Sequence, residues 1–257
     1  MNKLNGFLYG LLSSASFGLI PLFTIPAMRE GINFESILFY RFLFACLALG
    51  CILLLDKQSF HIKRKEIPSL MLLAFLYLMS AVFLFWGYKF MASGVATTIH
   101  FMYPLAEALA MMGFFGEKRS FAILFAVLVS LSGAGLLSSG KIDFEGGNTT
   151  IGLIAAGLSV FFYGGYIVGV RKSRAVQIPS TALTCYVMGL GALFFIIGGC
   201  LTGGIRLAND THTWLNILGL ALPATAISNI TLVKAIKYIG PTLTSIFGAL
   251  EPLTAVV

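Results

Sequence analysis

Blocks of about twenty apolar residues, parted by short polar breaks, run the length of the chain, and no other feature limits its folding as severely. A bilayer core of roughly 30 Å is crossed by about 20 apolar residues in a helix. Only helices and closed barrels satisfy their backbone groups there. The blocks are Asn5–Ala27, Phe34–Leu55, Ile67–Met91, Ser93–Phe115, Phe121–Ser139, Thr149–Val170, Pro179–Leu201 and Thr213–Ile236. A ninth starts at Pro241 and still runs at Val257. Charged residues make up 11% and apolar ones 58%, with a mean hydropathy of +0.93. Soluble domains carry roughly 25% charged residues. The reading is an all-α, polytopic membrane protein. Soluble enzymes, nucleic-acid binders and disulfide scaffolds are excluded together, and the four cysteines read as small buried apolar residues.

Lys and Arg set the orientation. With the N-terminus in the cytoplasm, Lys3, Lys57, Lys63, Arg64, Lys65, Lys118, Arg119, Arg171, Lys172, Arg174, Lys234 and Lys237 lie inside. Only Arg29, Lys89, Lys141 and Arg206 lie outside, and Arg41 falls within a span. That bias is the positive-inside signature.

The chain also repeats itself. Lys89, Pro104 and Leu105 recur as Lys237, Pro252 and Leu253, each at an offset of 148. Gly6, Ser13, Phe17, Gly18 and Tyr40 match Gly152, Ser159, Tyr163, Gly164 and Tyr186 at an offset of 146. The repeating unit holds five spans, over 1–140 and again over 149–257. Five is odd, so the second copy enters the bilayer inverted, an arrangement typical of secondary transporters with a midplane site. The expected plan is ten helices in two inverted five-helix repeats, with this chain ending inside helix nine.

These features carry a family resemblance. The chain resembles the drug/metabolite transporter superfamily, EamA type, over nearly its whole length. The matching motifs are Tyr40-Arg41-Phe42, Trp86-Gly87-Tyr88-Lys89-Phe90, Tyr103-Pro104-Leu105, Gly116-Glu117, Gly240-Pro241-Thr242 and Leu250-Glu251-Pro252-Leu253. The resemblance implies a carrier of the cytoplasmic (inner) membrane that exports amino acids or related metabolites. The chain departs from the pattern by stopping before a second Gly-Glu and a tenth helix, and by carrying Glu107 where an apolar residue is expected.

Ionisable groups inside a span cost at least roughly 2.5–3.5 kcal/mol on insertion scales, so each is a functional candidate. Four qualify: Arg41, His100, Glu107 and Glu251. At about 1.5 Å per residue, both acids fall near the middle of the bilayer. His100, Tyr103 and Glu107 share one face of the fourth span. Pro104 and Pro252 are expected to interrupt their helices there. Tyr77, Tyr163, Tyr166 and Asn229 add polar and aromatic groups of the kind that line ligand cavities. Ser245, in the repeated segment of the ninth span, completes the set. Against this, Arg41 can merely brace the second span, and Trp86 and Tyr88 can form an interfacial belt. The pairs Gly6/Gly10 and Gly165/Gly169 suggest close helix packing.

The leading expectation is a secondary active transporter working by alternating access. Its expected partners are the lipid bilayer, a small-molecule substrate and protons, and Glu107 or Glu251 is suited to bind a proton or an amine. Nucleic acid, cofactor and metal are not expected, since no phosphate loop, dinucleotide fingerprint or HExxH is present. A nucleotide-sugar or phosphate-ester antiporter is the alternative, but it would need several cavity cations. An intramembrane transferase would need clustered acids or a Ser/His pair.

Overall fold

A computed structural model describes residues 3–116, 148–202, 204–208, 210–251 and 254, with residues 125, 128, 129 and 132. Most of the expected fifth span, and Pro252, lie outside the described residues. All regular structure among the described residues is helical. Six segments are long and apolar enough to cross a membrane: Lys3–Arg29, Phe34–Leu55, Ile67–Gly87, Thr149–Lys172, Ser180–Gly199 and Thr211–Ile239. Their outer faces expose large apolar side chains, among them Leu8, Phe75, Phe161 and Ile197. Cys51 is also exposed, unlike the expectation for all four cysteines.

The first span consists of α1 (Lys3–Phe17) and α2 (Ile20–Arg29), joined at Gly18 and Leu19. The next two are α3 (Phe34–Leu55) and α4 (Ile67–Gly87). The fourth is broken into α5 (Ser93–His100) and α6 (Tyr103–Phe114). The break falls at Phe101 and Met102, just ahead of Pro104, whose ring clashes with the carbonyl four residues back. Pro104 itself lies in the first turn of α6. A proline there sacrifices an amide that has no helical partner anyway, and its fixed φ favours the new helix.

The second half holds α7 (Thr149–Lys172), α8 (Ser180–Thr202), α9 (Thr211–Ala221), α10 (Ser228–Ile239) and α11 (Pro241–Ile246), the last running into a 3-10 turn at Phe247–Leu250. Asn148 caps α7 by accepting from the Ile151 amide, and Asp210 caps α9 through Thr213. Gly240, at φ +86, turns the chain sharply between α10 and α11. Between α9 and α10, residues Leu222–Ile227 widen into a π-helix containing Pro223. The missing Pro223 amide loosens the ladder, a common setting for such bulges.

The two halves pack on each other reciprocally. α3 lies along α8, α4 along α7, and α1 along α10, while α6 meets both α7 and α11. Equivalent residues make equivalent crossings. Gly6 lies against Ile239, and Gly152 against Met91. Gly18 abuts the Glu251 carbonyl, and Gly164 the Tyr103 carbonyl. The matching serine pairs also meet, with donor and acceptor exchanged: Ser13 Oγ donates to Ser228 O at 2.9 Å, and Ser80 Oγ donates to Ser159 O at 3.1 Å. α3 and α8 run antiparallel, since Ser36 meets Arg206 while Phe60 meets Tyr186. Small residues let these backbones approach closely, which drives packing in lipid where apolar burial adds little.

Candidate functional site

At the centre, four helices turn polar side chains toward one another. Arg41 projects from α3 and is 2% exposed. Its Nε donates to Thr225 Oγ1 at 2.7 Å, and its Nη2 donates to the Tyr77 hydroxyl at 3.4 Å. Thr225 sits in the π-helix and passes its own proton to Leu220 O at 2.7 Å. The bulge therefore presents the hydroxyl that receives Arg41. Asn229 Nδ2, one turn on, donates to the same Tyr77 hydroxyl at 2.8 Å and to Thr225 O at 2.9 Å. The guanidinium also stands 5.8 Å and 5.9 Å from the ring centres of Phe42 and Phe85.

A tyrosine cluster adjoins this group. The Tyr77 and Tyr166 rings lie 5.1 Å apart, and Tyr163 packs 4.7 Å from Tyr103 and 5.2 Å from His100. Ser159 gives its proton to Ala156 O at 2.6 Å, so His100 donates from Nδ1 to Ser159 Oγ at 2.9 Å. The Tyr103 hydroxyl donates to Glu251 Oε1 at 2.7 Å. Those two residues occupy matching positions of the repeat.

Arg41, Tyr77, His100 and Tyr163 line one small cavity with Phe17, Ser80 and others. It measures about 10 Å³, room for roughly one water. In this conformation the site is closed on itself. Glu107 and Ser245 lie apart from it, on the seam between α6 and α11. There Ser245 Oγ donates to Glu107 Oε2 at 2.7 Å and Thr242 Oγ1 donates to Oε1 at 3.3 Å. Tyr103 joins the tyrosine cluster through its ring and Glu251 through its hydroxyl. Three buried atoms at this centre have no hydrogen-bond partner among the described residues: Tyr166 Oη, Asn229 Oδ1 and Glu251 Oε2. Such atoms normally cost about 1–3 kcal/mol each, so this is the place to look for a ligand.

The structure corrects one reading. Tyr88 is not in an interfacial belt. It is buried, with its hydroxyl 2.9 Å from Thr97 Oγ1, while Trp86 alone stays at the surface. The bulge at Pro223 was not anticipated, although a proline inside an apolar span is a readable sign of it. Thr242, the second donor to Glu107, lies in the Gly240-Pro241-Thr242 motif, one turn before Ser245, but only the fold brings it to that carboxylate.

The family profile for EamA-like transporters matches residues 4–139 and 150–257. The chain belongs to the EamA-like transporter family. It is thus a multi-pass membrane protein of the drug/metabolite transporter type. No curated protein matches this EamA-like chain. A solved structure, titled only as the crystal structure of a protein, superposes with a TM-score of 0.81 over 99% of this chain and 86% of its own, at 18% identity. At that identity the likeness concerns the fold alone.

Proposed function

We propose that this chain is a secondary carrier of the cytoplasmic membrane, with its N-terminus inside, exporting amino acids or related small metabolites by alternating access. Two inverted repeats, 1–140 and 149–257, rock about the centre they share. The observation that carries this reading is the meeting of both halves on buried ionisable groups with unpartnered oxygens. A zwitterion suits that centre. Arg41 has a fork to offer a carboxylate. Glu251 Oε2 and Asn229 Oδ1 can accept from an ammonium, and the tyrosine faces can stack against its carbon skeleton. The closed cavity requires the halves to part before a solute enters, as alternating access demands. Glu107, held by Ser245 and Thr242, is the candidate proton carrier. Against a phosphate-ester antiporter stands the single guanidinium on the cavity wall.

The test is export in proteoliposomes of full-length protein loaded with labelled amino acids. Transport that survives in Glu251→Gln and Arg41→Lys alike refutes this site. Glu107→Gln with unchanged pH dependence removes that residue from the coupling step.

A further inference from the structure

Lys89 and Lys237 are the same lysine of the repeat, and they close opposite ends of the bundle in different ways. At one end, Lys89 Nζ lies 4.0 Å from the centre of the Phe34 ring, which stoppers it. The position matching Phe34, at the offset of 146, is Ser180. At the other end Ser180 brings no ring to Lys237. Instead a cavity of about 390 Å³ opens, lined by Gln58, Ser180, Thr181, Lys234, Lys237 and Tyr238. That volume lies within the usual range of small-ligand pockets, roughly 300–1,000 Å³.

The chemistry of the lining is one-sided. Lys237 Nζ donates to the Ile178 carbonyl, and Lys234 Nζ lies 5.2 Å from the centre of the Tyr9 ring. An ammonium has three donors, so both keep donors for a guest. Arg171 holds the backbone in place by donating to Lys237 O at 3.1 Å. Ser180 and Thr181 open the 23-residue α8, whose first amides and dipole favour negative charge. Thr181 is 4% exposed. Two cations, two hydroxyls, an amide and a helix N-terminus suit an oxyanion.

We propose that this mouth is a binding site for an oxyanion, a carboxylate or phosphate group, which it collects for the central cavity. The placement on a transport path rests on the function proposed above; the site itself does not. It adds a requirement to that reading: the solute carries an anionic group, and it meets Lys234 and Lys237 before Arg41.

The full chain in nanodiscs of phosphatidylcholine is acetylated with a water-soluble amine reagent, and the rates at Lys234 and Lys237 are read by peptide mass spectrometry against exposed Lys63. Inorganic phosphate and acetate are the soluble probes, and nanodiscs with added phosphatidylglycerol supply the lipid headgroup. Protection grows as 1 + [L]/Kd, so a probe at ten times its Kd slows both lysines about tenfold and leaves Lys63 unchanged. Protection by soluble anions in phosphatidylcholine supports a solute site. Protection by phosphatidylglycerol alone retains the oxyanion site but removes it from the solute path. Ser180→Phe, which copies the stoppered end, abolishes protection while the melting midpoint holds. Lys237→Gln, which removes the charge but keeps a polar side chain one atom shorter, removes the protection of Lys234. Equal rates with and without the soluble anions and phosphatidylglycerol alike overturn the site, even if export persists. Protection without export leaves the site standing and refutes the carrier.

Discussion

Gly248→Ala tests the seam between the halves. A Cβ at Gly248 would stand 2.8 Å from Tyr103 Cζ and closer still to its hydroxyl. That hydroxyl is already committed to Glu251 Oε1. Overpacking costs typically about 1–3 kcal/mol. Displacing the hydroxyl strands a second buried oxygen of Glu251, for about 1–3 kcal/mol more. Replacing glycine regains about 0.5–1 kcal/mol of backbone entropy. The net expectation is a loss of about 3 kcal/mol. Tyr103→Phe alone loses the hydrogen bond but no packing, for about 1–3 kcal/mol. In the double variant the hydroxyl that collides is gone, so the double costs less than the sum by about 1 kcal/mol or more. Unfolding in mixed detergent micelles, followed by circular dichroism, measures all four proteins. Strict additivity would refute the contact, and a Gly248→Ala protein as stable as the parent would refute the close approach of the two broken helices.

Four further outcomes are expected. Gly18→Ala drives a methyl into the Glu251 carbonyl and costs about 2 kcal/mol or more, whereas matching Gly164→Ala, with its nearest neighbours at 3.5–3.7 Å, costs less than about 1 kcal/mol; equal losses in micelle unfolding would contradict the difference. Arg41→Lys keeps the charge but cannot span Thr225 and Tyr77 together, and loses about 1.5–3 kcal/mol of stability in the same assay. Ser13→Ala and Ser80→Ala, which each remove the donor of one crossing between the halves, each cost about 0.5–1.5 kcal/mol, and a variant as stable as the parent argues against its bond. The Thr213 hydroxyl and amide hold the Asp210 carboxyl below the usual carboxylate range. Its folded-state affinity for protons is thus the lower one, so its stabilisation is present above about pH 4 and fades as pH falls further. Asp210→Ala lowers the melting midpoint at neutral pH, and the gap to the parent narrows in acid.

Six spans and the buried charges were legible in the residue order, because hydropathy and spacing are local quantities. A run such as Phe34–Leu55 must cross the bilayer whatever surrounds it, and the helix observed there has those bounds. Arg41, His100, Glu107 and Glu251 could be singled out because charge inside a span is costly wherever it falls. Their partners could not. Arg41 reaches Thr225 across 184 residues, and Tyr103 reaches Glu251 across 148. Such pairs exist only once the halves close on each other, since they depend on crossing points and helix rotation that no local pattern encodes. The same holds for Tyr88, whose hydroxyl meets Thr97 inside the bundle. Residue order decides what must be buried; packing decides against what, because a helix in lipid chooses its neighbours by shape and hydrogen bonding rather than by hydrophobicity.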